Sequence, residues 1–203
     1  AVGGIRDGFP SVMIDGSKYD FEENVALTPG SDAADLNFSW YSAGKGTPAV
    51  KVWKDGSKSS AKVVTGNAEA ISAENWQGKS YSAANKVNIA DYFEENTQYH
   101  YQYTDNYTGD DSVWSAEYDY TTKATDKFSV ILTGDPQVGA SGSSSDKSAN
   151  DASVARDAYN WNKTMQQALK TCPDASFLLS AGDQINQSGA AKDDDKKTRE
   201  SEY

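Results

Sequence analysis

Phe128-Ser129-Val130-Ile131-Leu132-Thr133-Gly134-Asp135 breaks with everything that precedes it in the chain. It is a short, nearly continuous apolar run, as expected of a strand buried on both faces, and it closes on Gly-Asp. A second run, Phe177-Leu178-Leu179-Ser180-Ala181-Gly182-Asp183, ends the same way. Between them a Gly/Ser-rich loop, Gly139 to Ser148, leads into about 20 residues with Val154, Ala158, Trp161, Met165 and Leu169 on one helical stripe. That helix is expected to be capped near Asn150 or Asp151 and to stop at Thr171-Cys172-Pro173. Strand, helix and strand predict two parallel strands joined by a right-handed crossover, the opening of an α/β domain.

Upstream, from about Asn24 to Thr122, the pattern is of short strands with turn signals between them. Apolar or alternating stretches fall at Val25-Leu27, Leu36-Tyr41, Val50-Trp53, Lys62-Val64, Lys86-Ile89, Gln98-Tyr103 and Val113-Tyr120. Thr28-Pro29-Gly30, Lys54-Asp55-Gly56, Thr65-Gly66-Asn67 and Asn106-Tyr107-Thr108-Gly109 read as turns. About seven strands without helical period predict a β-sandwich. In Gln98-Tyr99-His100-Tyr101-Gln102-Tyr103, period two sends the three tyrosines to the core and His100 towards solvent.

Composition narrows the chemistry. The 203 residues hold 30 Asp+Glu against 19 Lys+Arg, a net charge of -11, one His and one Cys. One cysteine allows no internal disulfide and no cysteine-rich zinc site. The acidic balance argues against duplex nucleic acid as a partner, because phosphate binding needs clustered Lys and Arg. No apolar run approaches the roughly 20 residues of a membrane span, and no signal peptide is recognisable at Ala1-Val2-Gly3-Gly4.

The two Gly-Asp endings carry the chemical argument. Ligands of open parallel sheets bind beyond the carboxyl ends of the strands, which is where Asp135 and Asp183 fall. Neighbouring strands lie roughly 5 Å apart, so both carboxylates can reach one cation, which removes their mutual repulsion. Either Gly-Asp alone is an ordinary turn; it is the match on consecutive strands that points to a site.

Gly134-Asp135-Pro136-Gln137 and Gly182-Asp183-Gln184-Ile185-Asn186 resemble the first two blocks of the calcineurin-like metallophosphoesterases. The β-rich segment before them, with Trp114-Ser115-Ala116-Glu117-Tyr118-Asp119-Tyr120-Thr121-Thr122, is similar to the fibronectin-III-like amino-terminal domain of purple acid phosphatases. The resemblance covers most of residues 24–189. Residues 1–20, mixed and rich in Gly and Asp, read as a lead-in segment; the resemblance implies a fibronectin-III-like sandwich over 21–124 and the incomplete first part of a metallophosphoesterase domain, with its first βαβ unit, over 125–203. It also implies hydrolysis of phosphate-ester substrates at a two-metal centre, in an exported or cell-surface protein. Asp135 would bind one metal and Asp183 would bridge two; hard oxygen donors suit Mn, Fe, Zn, Mg or Ca.

Three departures qualify it. Gln137 stands where the first block often has His, and an amide is the poorer ligand. Asn186 stands where purple acid phosphatases carry the Tyr whose bond to iron gives their colour, which implies no visible charge-transfer band. The later histidine-bearing blocks are absent before Tyr203, so this chain alone is expected to be inactive, its missing partner being the rest of the catalytic domain. Gln137 and Asn186 remain weak candidate ligands. The charged stretch 190–203 reads as a surface loop, and its end as a nick, the edge of an expressed piece or the start of disorder. Two other functions fit the same residues: an Ig-like binding or adhesion module with a non-catalytic α/β portion, and a phosphodiesterase or nucleotide hydrolase.

Overall fold

The computed structural model of the chain describes residues 25–74, 78–141 and 151–186. They fall into two compact units, one made of residues 25–73 and 80–128, the other including 129–141 and 151–186. The expected lead-in over 1–20 and the tail over 190–203 lie outside the described residues.

The first unit is a β-sandwich of two four-stranded sheets. One sheet runs in the order β1 (Ala26–Pro29), β2 (Leu36–Ser42), β6 (Ser80–Ile89), β5 (Asn67–Glu74); the other runs β4 (Lys62–Thr65), β3 (Ala49–Lys54), β7 (Gln98–Thr104), β8 (Tyr118–Thr121). Alternation builds the core. On β2, Leu36, Phe38, Trp40 and Ser42 are buried while the residues between them are not. On β7, Tyr99 and Tyr101 are buried, and Tyr103 packs against the same cluster, as period two requires. Phe38 meets Tyr101 edge to face at 5.3 Å, tying one sheet to the other.

A buried tyrosine fixes the β6–β7 corner. The Tyr99 hydroxyl accepts the Glu94 backbone N–H at 2.8 Å, five residues upstream, and its ring packs on Phe93 at 4.9 Å. A tyrosine near the start of this strand, bonded back to the preceding backbone, is the corner device of immunoglobulin-type sandwiches.

Four expectations for this unit need correction. There are eight strands, because Asn67–Glu74 pairs into the first sheet. Its Ala- and Glu-rich sequence carries a weak strand signal. Thr65-Gly66-Asn67 is therefore not a turn but the point where the chain passes from one sheet to the other. Gly66 donates its N–H to the Pro48 carbonyl at 2.8 Å. A Cβ there would stand 2.0 Å from the Lys86 carbonyl oxygen, so only glycine fits the crossing. The last strand starts at Tyr118, not Val113. Ser115 interrupts the ladder, since its hydroxyl, not a backbone carbonyl, accepts the Tyr103 N–H at 3.0 Å. Finally, the side chain of His100 is only 13% exposed, held between neighbours on its own sheet face and not free in solvent.

In the second unit, β9 (Ser129–Thr133) and β10 (Ala175–Ser180) pair in parallel, Val130 opposite Phe177 and Thr133 opposite Ser180. The helix α1 (Asp151–Thr171) joins them in sequence, and Cys172 closes its last turn by donating to the Ala168 carbonyl. Val154 is buried, and Ala158, Trp161 and Met165 are partly buried, at helical spacing. At the end of the helix Ala168 is partly buried, whereas Leu169 is exposed. Burial of the strands on both faces does not hold: Leu132 is 69%, Leu178 45% and Leu179 53% exposed. Two strands form this sheet among the described residues, and two strands leave both outer edges and much of the faces uncovered.

Candidate metal centre

The loops that follow β9 and β10 run side by side. Ala181 N–H donates to the Thr133 carbonyl at 2.7 Å, and Asp135 N–H to Gly182 at 3.3 Å. Gln137 N–H then reaches the Asp183 carbonyl at 2.9 Å, Val138 N–H that of Gln184 at 3.1 Å, and Asn186 N–H that of Val138 at 3.0 Å. Parallel pairing thus continues past both strand ends and brings the two Gly-Asp segments together. Asp135, Gln137, Asp183 and Asn186 are all exposed on it.

Backbone conformation singles out the same residues. Asp135 has φ 51°, Gln137 φ 40° and Asp183 φ 46°, three of the five non-glycine residues with positive φ among those described. Left-handed conformations cost energy for residues with a Cβ and collect where structure is held for another purpose. Asp accepts them more readily than most because its short side chain bonds locally. Of the two glycines, only Gly182 is required by its backbone, with φ 110°. At Gly134 a Cβ would make an ordinary contact with Ala181 at 3.5 Å.

The first loop is anchored to α1. Gly139 and Ser141 both donate their N–H groups to Asp157 Oδ2 at 3.0 Å, and Arg156 Nη2 donates to the Ser141 carbonyl at 2.6 Å. Val138 and Gly139 are buried here, alongside Ser153, Val154 and Ala155 at the start of the helix. Asp157 is invisible to periodicity, because a carboxylate nearly two turns into a helix reads as surface charge. Its partner, Gly139 at φ 100°, was the one local signal that the loop turns there. Thr133 Oγ1, two residues before Asp135, is buried without a hydrogen-bond partner in the described structure.

The donors exposed at the loop tips are hard oxygens, two carboxylates and two amides, which match Mg, Mn and similar ions in chemistry. Their number falls short. No group of three or more His, Cys, Asp or Glu among the described residues is placed to hold a metal. The Asp157 carboxylate is occupied by backbone N–H groups. His100 does not fill the gap either: it belongs to β7 of the sandwich, and both its ring nitrogens face carboxylates, Asp119 at 2.7 Å and Asp55 at 2.9 Å.

The fold is similar to that of a purple acid phosphatase. The solved structure of the enzyme from yellow lupin (Lupinus luteus) seeds superposes with a TM-score of 0.57 over 88% of this chain, at 15% identity. This chain covers 32% of that enzyme's length, so the likeness concerns fold and about a third of the larger protein. A redesigned β-sandwich protein overlaps half of the chain at 11% identity with a TM-score of 0.30, too low to carry an argument. No family model matches the chain. No curated protein matches it either.

Proposed function

We propose that the chain is part of a metal-dependent phosphoesterase, contributing a fibronectin-III-like sandwich over 21–124 and the carboxylate half of a metal centre on the unit that begins near residue 125. The observation that carries this reading is the zipped pair of strand-end loops, which exposes Asp135 and Asp183 on left-handed backbone. The likeness of fold to a purple acid phosphatase supports it. Asp135 would hold one cation and Asp183 would bridge two, with Gln137 and Asn186 as weaker oxygen donors. Imidazole ligands would come from polypeptide other than these 203 residues, since the one histidine is engaged elsewhere. Bound cations at such a centre polarise phosphoryl oxygens and lower the pKa of a bound water towards neutrality. What this chain's own residues do is hold the carboxylates in place: Asp157 and Arg156 fix the first loop, and the shared backbone bonds fix the second to it.

The test is phosphate-ester hydrolysis by the full-length protein in the presence of Mn, Mg, Zn, Fe or Ca. Metal-dependent release of phosphate, reduced about 100-fold or more in Asp183→Asn, is the expected result. Hydrolysis that ignores metal, or that survives loss of both Asp135 and Asp183, overturns the proposal. The spectrum of the iron-loaded protein is a second check, since Asn186 provides no tyrosinate and no visible band is expected.

One observation favours a second reading, a binding module. A cleft of about 480 Å³ at the end of β7 is lined by Tyr103, Asp105, Asn106, Asp111, Trp114 and Ser115. Aromatic surface beside carboxylate and amide groups suits a small polar ligand such as a sugar. Saturable quenching of tryptophan fluorescence by an oligosaccharide, with no metal-dependent hydrolysis by the full-length protein, would favour it.

A further inference from the structure

His100 sits at the centre of a charge cluster on the outer face of the β4-β3-β7-β8 sheet. Asp119, its cross-strand partner on β8, lies 2.7 Å from Nδ1, and Asp55, in the turn after β3, lies 2.9 Å from Nε2. Glu117 stands 3.4 Å from Nδ1. The imidazole stacks on the indole of Trp53, its partner on β3, at 5.9 Å and 24°. Trp53 is 2% exposed, so this outer face carries a small packed layer of its own. One cation also faces the cluster. Lys58 pairs with Glu117 at 2.8 Å and lies 4.9 Å over the Trp53 ring. Lys51, farther along the face, lies over Trp114 instead.

A neutral imidazole has one N–H and one bare nitrogen. With an ionised carboxylate against each nitrogen, the neutral ring would set a lone pair against a negative oxygen on one side. Only the imidazolium donates to both. The carboxylates approach from opposite edges of the ring, so they cannot converge on a metal ion in its place, in keeping with the absence of any metal-holding group of acids among the described residues.

We propose that His100 is a proton-operated clamp, which in its charged form fastens the β3–β4 turn to the edge strand β8 and on losing its proton gives up that link, leaving the turn held by the Asp55 N–H bond to the Gln98 carbonyl and by the Lys58–Glu117 pair. The turn is where the effect should be read. It is closed by its own backbone bonds, Ser57 N–H to Lys54 and Ser60 N–H to Ser57, and Asp55 carries the link from it to the histidine. The electrostatics agree with the geometry. The hydrogen bond with Asp55 raises the His100 pKa above its ordinary value most strongly; burial opposes it, and the bond and charge of Asp119 and the charge of Glu117 add to it. A raised value means the clamp is complete below the ordinary histidine pKa and is lost as pH rises through the folded-state value.

Because His100 is the one histidine in 203 residues, its ring protons titrate without overlap in NMR spectra of the intact chain. The expected midpoint lies above 6.5, and Asp55→Asn and Asp119→Asn each lower it. Amide exchange at Ser57 and Ser60, corrected for intrinsic base catalysis, should step up through the wild-type midpoint. In His100→Gln that step should be missing. Both aspartates are largely exposed, at 68% and 71%, so their amide variants should leave the fold intact. A midpoint at or below 6.5, or turn protection that does not follow the histidine titration, overturns the proposal.

Discussion

Tyr99 shows how much a single polar atom can do in an apolar setting. Its ring is fully buried, yet its hydroxyl serves the part-buried Glu94 N–H. Tyr99→Phe keeps the packing and leaves that donor without a partner, which costs about 1–2 kcal/mol. Thermal unfolding of the chain should register it as a lowered midpoint. The left-handed residues at the strand ends give a different contrast. Asn tolerates that conformation much as Asp does, whereas Ala gains nothing to offset its Cβ strain. Asp135→Asn and Asp183→Asn should therefore unfold with wild-type midpoints, while each Ala variant should lose about 1 kcal/mol. Equal stability of the Asn and Ala forms in urea titrations would show that the positive φ values carry no strain.

Among the elements, the passage between sheets at Gly66 depends on one missing Cβ. Gly66→Ala pushes a methyl group against the Lys86 carbonyl oxygen on β6, where backbone, not a flexible side chain, must move. Overpacking of this kind costs about 1–3 kcal/mol. The expected sign is a lower unfolding midpoint for the sandwich, and an unchanged midpoint would mean that β4 and β5 can shift freely. The strands themselves differed in how plainly they could be read. β7 alternates apolar and polar residues strictly and β2 does so from Leu36 to Trp40, so both strands, and the inward face of β7, followed from period two. In β5 the alternation slips phase between Ala70 and Ile71, and its Ala and Glu residues favour helix over strand. It is held in place by pairing, which no local pattern records. The Gly-Asp endings of β9 and β10 were plain in the chain, but the backbone bonds joining them connect residues more than 40 positions apart.

For the whole molecule, charge and exposed apolar area set the behaviour in solution. Two groups bound the pH range of the sandwich. The Asp35 pKa is lowered, first by the Asp91 backbone N–H and then by the Ser31 hydroxyl. Its contribution is present above 3.8, the ordinary value, and is lost as pH falls through the folded-state value. His100 acts in the opposite sense, its contribution fading as pH rises through its raised value. The melting temperature of the sandwich should therefore pass through a maximum between these limits, and His100→Gln should flatten the alkaline side. A melting curve independent of pH above 6.5, the ordinary histidine value, in the wild type would contradict this. Leu132, Leu178 and Leu179 leave apolar surface uncovered on β9 and β10. Exposed apolar strands promote association. Sedimentation velocity should show concentration-dependent self-association of the 203-residue chain, weakened in a Leu132→Thr/Leu179→Thr double variant.

Local pattern was enough for the sandwich, for the parallel strand–helix–strand order and for the pair of aspartates at matching strand ends, because alternation, helical spacing and Gly-Asp punctuation are short-range signals. Whether His100 was free or clamped could not be read that way. Its partners Asp55 and Asp119 lie 45 and 19 positions away, and only strand register brings them to one ring. The same holds for Gly66, whose need for a bare Cα comes from a carbonyl at position 86, and for Asp157, whose carboxylate reads as surface charge until the loop after β9 folds against it. Burial was decided last of all. Val130-Ile131-Leu132 reads as a covered strand because its residues are apolar, but cover depends on what other elements lie alongside, and that is a property of the assembled fold.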